Sequence, residues 1–569
     1  MVKKAETKKT IGAKSKSAAL SSESRKKKDS KKPKGSIEKK SAMIQLDHDF
    51  SFNLLTEPWL PVVTLKGEKK FLSLNDFIKT CQNLERFDFP LPGLETAVIR
   101  FMVAMVHIVG APKDKKEWEE WLRRGKFEDG FFQEMQKYKN KLDLFSQTEP
   151  FMQNAKLKDC KEDEFDDINR LINYYPSKTN PSHWFHKYDG ENSNVLSPSS
   201  LVWLLLLYNS ITFSGGSGYK PGINGKPPNY VILNGDNLFI TIVLNTPNNS
   251  FLANFVNIKQ IKKPENGFIL KSGLNCMPNE VNLQTGLLWN SRQLLFIPIA
   301  NRGKKKCSIS METSNIVVNQ FIMKPQEMSL KKGTYWSDPH VIKIDLGKKG
   351  LKNLNESGEL PNWREYPSLL MTSGRKNEKT KALIFPTITL QQLSHTVNKS
   401  RSIRLSYFSF STINNAKINQ IEENKYYFQS NFIDNQEMIA IIERMVDLIY
   451  QFSYQIKVNL KTAFNIKTGS TSEPPNFQTA YWHELGSAFE ESLAQLANTD
   501  KEPDEVLREW KIMLAEHVRE TFKRHTEKLI SNPKHLKHYE AARLYLEHKI
   551  YAKDGLLPRP KKTENRRIS

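Results

Sequence analysis

From Asn435 onward the apolar residues fall at helical spacing and keep to it through most of the remaining chain. Met438, Ile439, Ile441, Ile442, Met445, Val446, Leu448, Ile449 and Phe452 share one face, because residues three and four apart stand over one another on a helix. A second such segment covers Ala480 to Leu496. A third starts near Pro503, a favoured first-turn residue, and runs through Leu507, Trp510, Leu514 and Val518. A fourth follows Ser531-Asn532-Pro533 and carries Leu536, Tyr539, Ala542, Leu544 and Leu546. Four one-sided helices with short connections bury their faces against each other, so an up-and-down bundle is expected.

Upstream the periodicity is mixed. Phe52 to Val63 reads as a strand with prolines at its edge, and Gly67 to Phe71 as its hairpin partner. Ser73, Asn75 and Asp76 supply capping chemistry before Phe77 and Ile78. Leu94 to Val109 predicts an apolar helix with Arg100 and His107 inside it, Lys116 to Leu122 a shorter one, and Leu201 to Tyr208 a buried one. Tyr230–Leu233, Leu238–Leu244, Leu287–Ile297 and Ile316–Ile322 read as strands, and Arg401 to Lys425 as irregular. The expected class is α+β, a large mixed α/β N-terminal domain followed by a C-terminal four-helix bundle. The expected boundaries are 1–45 for a disordered basic tail, 46–430 for the mixed domain, 431–555 for the bundle and 556–569 for a flexible basic C-terminus.

The charge is uneven. Residues 1–43 hold 15 Lys/Arg against 4 Asp/Glu, a net +11 of the whole chain's +23. That segment has too few large apolar groups to fold by itself. The body stays basic without it, which favours an acidic partner such as nucleic acid. The longest apolar runs are too short and too polar to span a bilayer, so no membrane partner is expected. Cys81, Cys160, Cys276 and Cys307 form no CxxC pair and read as free thiols in a reducing compartment. With no charged and apolar leader at the start, a soluble cytoplasmic protein is expected.

Five of the 26 glycines, Gly215, Gly216, Gly218, Gly222 and Gly225, fall within eleven residues, with Tyr219, Lys220, Asn224 and Lys226 between them. Glycine lets backbone approach a ligand closely, and lysine neutralises anions, so the run suits a phosphate-bearing polymer. A plain surface turn is the competing reading. Trp184 and Phe185 beside Lys187 suit base stacking or a core plug, and Asn414-Asn415 suits base-edge contact or a simple turn. Lys220, Lys226 and Lys324 suit phosphate pairing or plain surface solvation. The chain has no GxxxxGK[ST], no GxGxxG after a strand, no HExxH and no GxSxG. His183 and His186 have metal-compatible spacing but lack the further ligands a structural zinc requires. The reading is of no catalytic residue, no metal and no cofactor.

These segments, in their order, resemble the CasA family, the large subunit of the type I-E CRISPR surveillance complex Cascade. The carriers are Phe52-Asn-Leu-Leu-Thr-Glu-Pro-Trp-Leu-Pro61, Pro150-Phe-Met-Gln153, Gly215-Gly-Ser-Gly-Tyr-Lys-Pro-Gly222, Gly286-Leu-Leu-Trp289 and the terminal bundle, spanning about residues 50–550. The resemblance implies a non-catalytic subunit that reads the protospacer-adjacent motif (PAM) in double-stranded DNA, chiefly from the minor groove, and starts strand separation. It implies guide CRISPR RNA and the backbone, small and guide-end-binding subunits as partners, with a nuclease-helicase recruited after target binding. By position, the motif-reading loop falls on Ser214, Gly215, Gly216, Ser217 and Gly218, with Lys220 adding charge. The family's glutamine wedge falls on Asn415, flanked by Asn414 and Ala416, one methylene shorter, with Gln420 as the alternative. The groove-inserting lysine falls on Lys324, and the phenylalanine that engages the guide's 5′ end falls on Phe185. Some members carry a cysteine-rich turn where this chain has only Cys307, so no metal is carried over. Two other readings compete: a stand-alone nucleic-acid enzyme with an unrecognised metal site, and a scaffold acting through its basic tail.

Overall fold

A computed structural model describes residues 50–172, 182–183, 186–187, 194–211, 221–256, 275–325, 328–347, 350–354, 362–370, 375–376, 383–396, 402–413, 417–429, 432–467, 472–498 and 501–559. The chain divides into two units, Met1–Ala42 and Met43–Ser569, and every element below lies in the second. The fold is α+β, with helices, small antiparallel sheets and a helical C-terminal part.

The opening apolar run is a strand for only part of its length. Leu60–Thr64 (β1) pairs antiparallel with Lys69–Leu72 (β2) and Leu84–Phe87 (β3). Before β1 the chain closes a turn. The Asn53 carbonyl accepts from Thr56 and Glu57 at 3.0 and 2.8 Å, and Trp59 Nε1 donates to the Leu54 carbonyl at 2.9 Å. Ser73 caps Leu74–Thr80 (α1) as its chemistry predicts, accepting the Asp76 N–H at 3.1 Å. Leu94–Val109 (α2) and Lys115–Arg124 (α3) also form where expected. Pro150-Phe-Met-Gln153 is a structural clamp: Gln153 Nε2 donates to the Leu144 carbonyl at 2.7 Å, and its Oε1 accepts the Phe296 N–H at 2.8 Å.

Phe165–Asp167 (β4) is an edge strand, and Pro198–Ile211 (α4) is a helix with every residue buried. Tyr230–Asn234 (β5) is the predicted strand. Leu238–Leu244, expected as a strand, is instead a helix (α5). A short unbroken apolar run has no period that separates strand from buried helix. Asn237 decides it, its side chain accepting the Ile240 N–H at 2.9 Å as an N-cap. Likewise Leu287–Ile297 is not one strand, because Leu283–Leu287 is helical and the strand Arg292–Ala300 (β6) starts five residues later. Gly286 sits in that short helix because a Cβ there would stand 2.1 Å from the Trp336 ring. Ile316–Pro325 (β7) lies between β4 and β6.

The segment expected as irregular, Arg401–Lys425, belongs to the longest hairpin among the described residues. Ser402–Ile413 (β8) and Lys417–Gln429 (β9) pair antiparallel, and β8 also pairs with β5 in the order β9-β8-β5. Long-range pairing to β5 supplies the stability that its local polar composition does not announce.

Gln436–Ala463 (α6), Gln478–Glu484 (α7), Gly486–Ala497 (α8), Pro503–Ile530 (α9) and Pro533–Ile550 (α10) complete the chain. The second predicted helix is therefore two, broken at the buried Leu485. α6 packs on α9 and α10, with Trp510 Nε1 donating to the Met445 carbonyl at 3.3 Å and Arg519 gripping Glu547 at 2.8 and 2.9 Å. α8 reaches β9, and Phe489 stacks on Trp363 at 4.5 Å between ring centroids, so the helical core continues into the sheet.

At the centre of the larger core, Arg100 of α2 meets Asp338 at 2.7 Å, both with fully buried side chains. Truncating one partner of such a pair strands a charge in the interior, at a cost of about 3–5 kcal/mol. Arg100→Ala should therefore lower the thermal midpoint sharply, and the double variant Arg100→Met/Asp338→Leu should recover much of the loss. Calorimetry of the single and double variants checks this. Burial also holds His107 down to about 3 and His340 to about 4 from the ordinary 6.5. An unfolded chain protonates both as pH falls through 6.5, whereas the folded chain resists until about 4 and about 3. Their contribution is complete above 6.5 and is lost as pH drops below it, so the thermal midpoint should decline between pH 6.5 and 4. A series of melts across that range tests the sign.

Candidate nucleic-acid interface

Both described ends of the glycine-rich segment are anchored in the core. On the N-terminal side α4 is held by Trp203, whose Nε1 donates to the Trp59 carbonyl at 2.6 Å, and ends at the buried Ile211. Ser214, Gly215, Gly216, Ser217, Gly218 and Lys220 lie outside the described residues. The chain is described again from Pro221, and Gly222 and Gly225 close a turn through a 2.9 Å backbone bond, with Gly225 at φ 73. Asn224 Nδ2 then donates to Asp338 Oδ2 at 2.7 Å and to the Tyr230 hydroxyl at 3.3 Å. Tyr230 in turn donates to the Ser210 carbonyl at 3.3 Å. One hydroxyl thus ties together the two sides from which the loop departs.

The anchor is a buried polar network. Arg100 lies 5.0 Å from the Tyr230 ring centre and 3.4 Å from His340 Nδ1, and the His340 N–H donates to Asp338 Oδ1 at 3.0 Å. His340 Nε2 pairs with the Asn245 carbonyl at 3.1 Å, which fits a neutral ring with its proton on Nε2. Burial raises the Asp338 carboxyl, but the Arg100 guanidinium outweighs it and keeps the group below the usual range. Burial pushes the Tyr230 phenol up to about 12, so it remains a donor, and pushes the nearby Lys343 down to about 8. Sequence reasoning noticed Arg100 inside an apolar helix but not its partner. The usable signal was the cation itself, because a buried guanidinium requires a buried carboxylate.

A cleft of about 370 Å³ opens at the foot of this anchor, bounded by Pro221–Gly225, Asn275, Trp289 and Met328–Tyr335. Lys331 and Lys332 stand exposed on its rim. Their turn is fixed by Lys331 N–H donating to the Cys276 carbonyl at 2.9 Å and by Thr334 Oγ1 donating to the Lys331 carbonyl at 2.7 Å. These two lysines were not singled out from the sequence. Lys324, which was, sits on β7 opposite Gln293, is paired with Glu164, and is not among the residues that bound the cleft.

The hairpin meets the same anchor. Tyr407 and Phe408 of β8 are in register with Val231 and Tyr230 of β5, and Phe408 fills the space above Gly93, where a Cβ would stand 2.3 Å from its ring. From Phe408 the strand runs five more residues to Ile413, about 17 Å at the usual strand rise. Ile413 pairs with Lys417, and Asn414, Asn415 and Ala416 between them lie outside the described residues. Gln420 is on β9 opposite Ser411. Trp184 and Phe185 also lie outside the described residues, between the paired His183 and His186. Among the described residues no group of three or more His, Cys, Asp or Glu could hold a metal, and no helix is long and apolar enough to cross a membrane.

The sequence profile of the CRISPR-associated protein Cse1 family matches residues 53–521. A curated relative from Thermus thermophilus, described as CRISPR-associated protein CasA/Cse1, is 25% identical over 202 residues, 34% of this chain and 39% of that protein's length. The fold is shared with solved structures. Thermus thermophilus CasA (Cse1) superposes with a TM-score of 0.65 at 18% identity, covering 87% of this chain and 99% of that one. Thermobifida fusca Cse1 gives 0.67 at 17%, covering 89% and 99%. A chain of a CRISPR RNA-guided surveillance complex gives 0.64 at 17%, covering 87% and 99%. With the profile matched over most of its length, this chain belongs to the CRISPR-associated protein Cse1 family.

Proposed function

We propose that this chain is the large subunit of an RNA-guided surveillance complex, and that it reads a PAM in double-stranded DNA and begins strand separation. The observation behind this is the placement of β5. Its Tyr230 ties the two sides of the glycine loop and is registered against Phe408 of the hairpin that leads to Asn415. A groove reader and a wedge cooperate only if a rigid element sets their separation, and β5 is that element.

Each part has its physics. Glycines allow backbone to enter a narrow groove whose hydrogen-bond pattern is too degenerate for side-chain readout alone. A wedge that parts base steps costs a few kcal/mol of stacking, which pairing with the guide RNA then offsets. Lys331 and Lys332 on the cleft rim supply phosphate contacts beside the loop. The chain binds and does not cut. Guide RNA and the backbone, small and guide-end-binding subunits hold it in place, its C-terminal helices face neighbouring subunits and the displaced strand, and a nuclease-helicase lands after target binding.

In the assembled complex, Asn415→Ala should slow duplex opening roughly tenfold, about 1.4 kcal/mol, with little change in initial association. Permanganate footprinting beside the motif, run against gel-shift binding, separates the two. Ser217→Trp or Gly218→Trp should abolish discrimination between motif and non-motif DNA. Unchanged plasmid binding by all three variants, or metal-dependent cleavage by the purified chain, overturns the assignment. Lys331→Ala and Lys332→Ala should each weaken binding to every sequence alike and reduce the slope of log affinity against log salt by about 0.9. Titrations at several salt concentrations measure that slope.

A further inference from the structure

Two residue pairs with the same spacing meet at the N-terminus of α4: Ser197 with Ser200, and Cys307 with Ser310. Ser197 Oγ donates to Ser200 Oγ at 3.3 Å, and Cys307 Sγ is hydrogen-bonded to Ser200 Oγ at 3.2 Å. The Ser197 and Ser310 hydroxyls also favour the ionised form of the thiol. Ser197, Ser200 and Cys307 are at most 2% exposed. The second pair is held in a tight turn, with Met311 N–H donating to the Cys307 carbonyl at 3.0 Å and Cys307 N–H to the Glu312 carbonyl at 2.8 Å.

Two such pairs on facing segments are the ligand layout of a structural zinc site. Zinc–sulfur bonds of about 2.3 Å would set tetrahedral edges of about 3.8 Å, and the heteroatoms here already lie 3.2 and 3.3 Å apart. The donors do not fit the metal. One thiol and three neutral hydroxyls lack the anionic sulfur or imidazole that zinc requires. Cys81, Cys160 and Cys276 are not part of this cluster.

We propose that Ser197, Ser200, Cys307 and Ser310 form a metal-free knuckle, a hydrogen-bonded cluster that ties the 307–312 turn to the first turn of α4 where a tetrahedral metal would otherwise do so. Buried hydroxyls must be hydrogen-bonded, and the two buried ones here, Ser197 and Ser200, satisfy each other beside a single sulfur while Ser310 is half-buried. Burial raises the Cys307 thiol, yet the Ser197 backbone and the Ser200, Ser310 and Ser197 hydroxyls outweigh it and bring the group below its ordinary value. Burial pushes Cys81 the other way, outweighing the backbone hydrogen bonds at Cys81 and Gln82 that lower it. The knuckle fixes the start of a helix of 14 residues, about 21 Å long, whose far end leads into the glycine loop.

The test uses the full chain. Wild-type protein prepared with zinc should carry no stoichiometric zinc by elemental analysis, and its thermal midpoint should be the same with and without a chelator. Ser200→Ala should lower the midpoint. Ser197→Cys/Ser200→Cys/Ser310→Cys should take up one zinc per chain and lose several degrees on chelation. One zinc per wild-type chain with a chelator-sensitive midpoint, an unchanged midpoint for Ser200→Ala, or a folded triple variant without zinc overturns the proposal. Should the triple variant not fold, the first two measurements still decide.

Discussion

The Arg100–Asp338 pair is the interaction on which the rest of the larger core depends. Neither charge has access to water, so each is tolerated because the other is 2.7 Å away, and Arg100 makes its bonds through Nη1 alone while its Nε and Nη2 are buried without a hydrogen-bond partner among the described residues. Asp338 also accepts from Asn224 and from the His340 backbone, and Arg100 lies over Tyr230. The network therefore joins α2, the end of the glycine run, β5 and the 338–343 segment. Packing of apolar groups is non-directional, whereas this cluster specifies one arrangement of those four elements.

That arrangement gives the described residues on either side of the glycine run fixed positions. The Tyr230 hydroxyl supplies them by accepting from Asn224 and donating to the Ser210 carbonyl. Because β5 is also the strand on which β8 is laid, the base of the hairpin is positioned by the same residue. At the opposite end of α4, the Ser197, Ser200 and Cys307 contacts settle where the helix begins.

The legible parts of this protein were the ones encoded by short-range chemistry. Ser73 as a cap and the apolar faces of α2, α6 and α9 require only neighbours a turn away, and each forms where its residues predict. The misread parts were those whose state depends on distant partners. Leu238–Leu244 is apolar but for Thr241, so the Asn237 cap is what distinguishes helix from strand. The hairpin 402–429 contains many polar residues and few turn signals, and it is recognisable only once β5 lies alongside it. The Pro150-Phe-Met-Gln153 motif likewise makes sense only when Gln153 is seen bridging Leu144 and Phe296.

Sequence alone determined the α+β class, the helical C-terminal part, the basic balance and the ordered motifs that resemble the family, because periodicity, charge and motif order are properties of the chain itself. It also placed a cation, Arg100, inside an apolar helix. Tertiary structure alone decided that the partner is Asp338, that the glycine run and the hairpin share β5, and that Lys331 and Lys332 stand on the cleft rim while Lys324 pairs with Glu164. The reason is that these contacts join residues dozens to hundreds of positions apart, and no local propensity records which distant groups a closed core will bring within hydrogen-bonding distance.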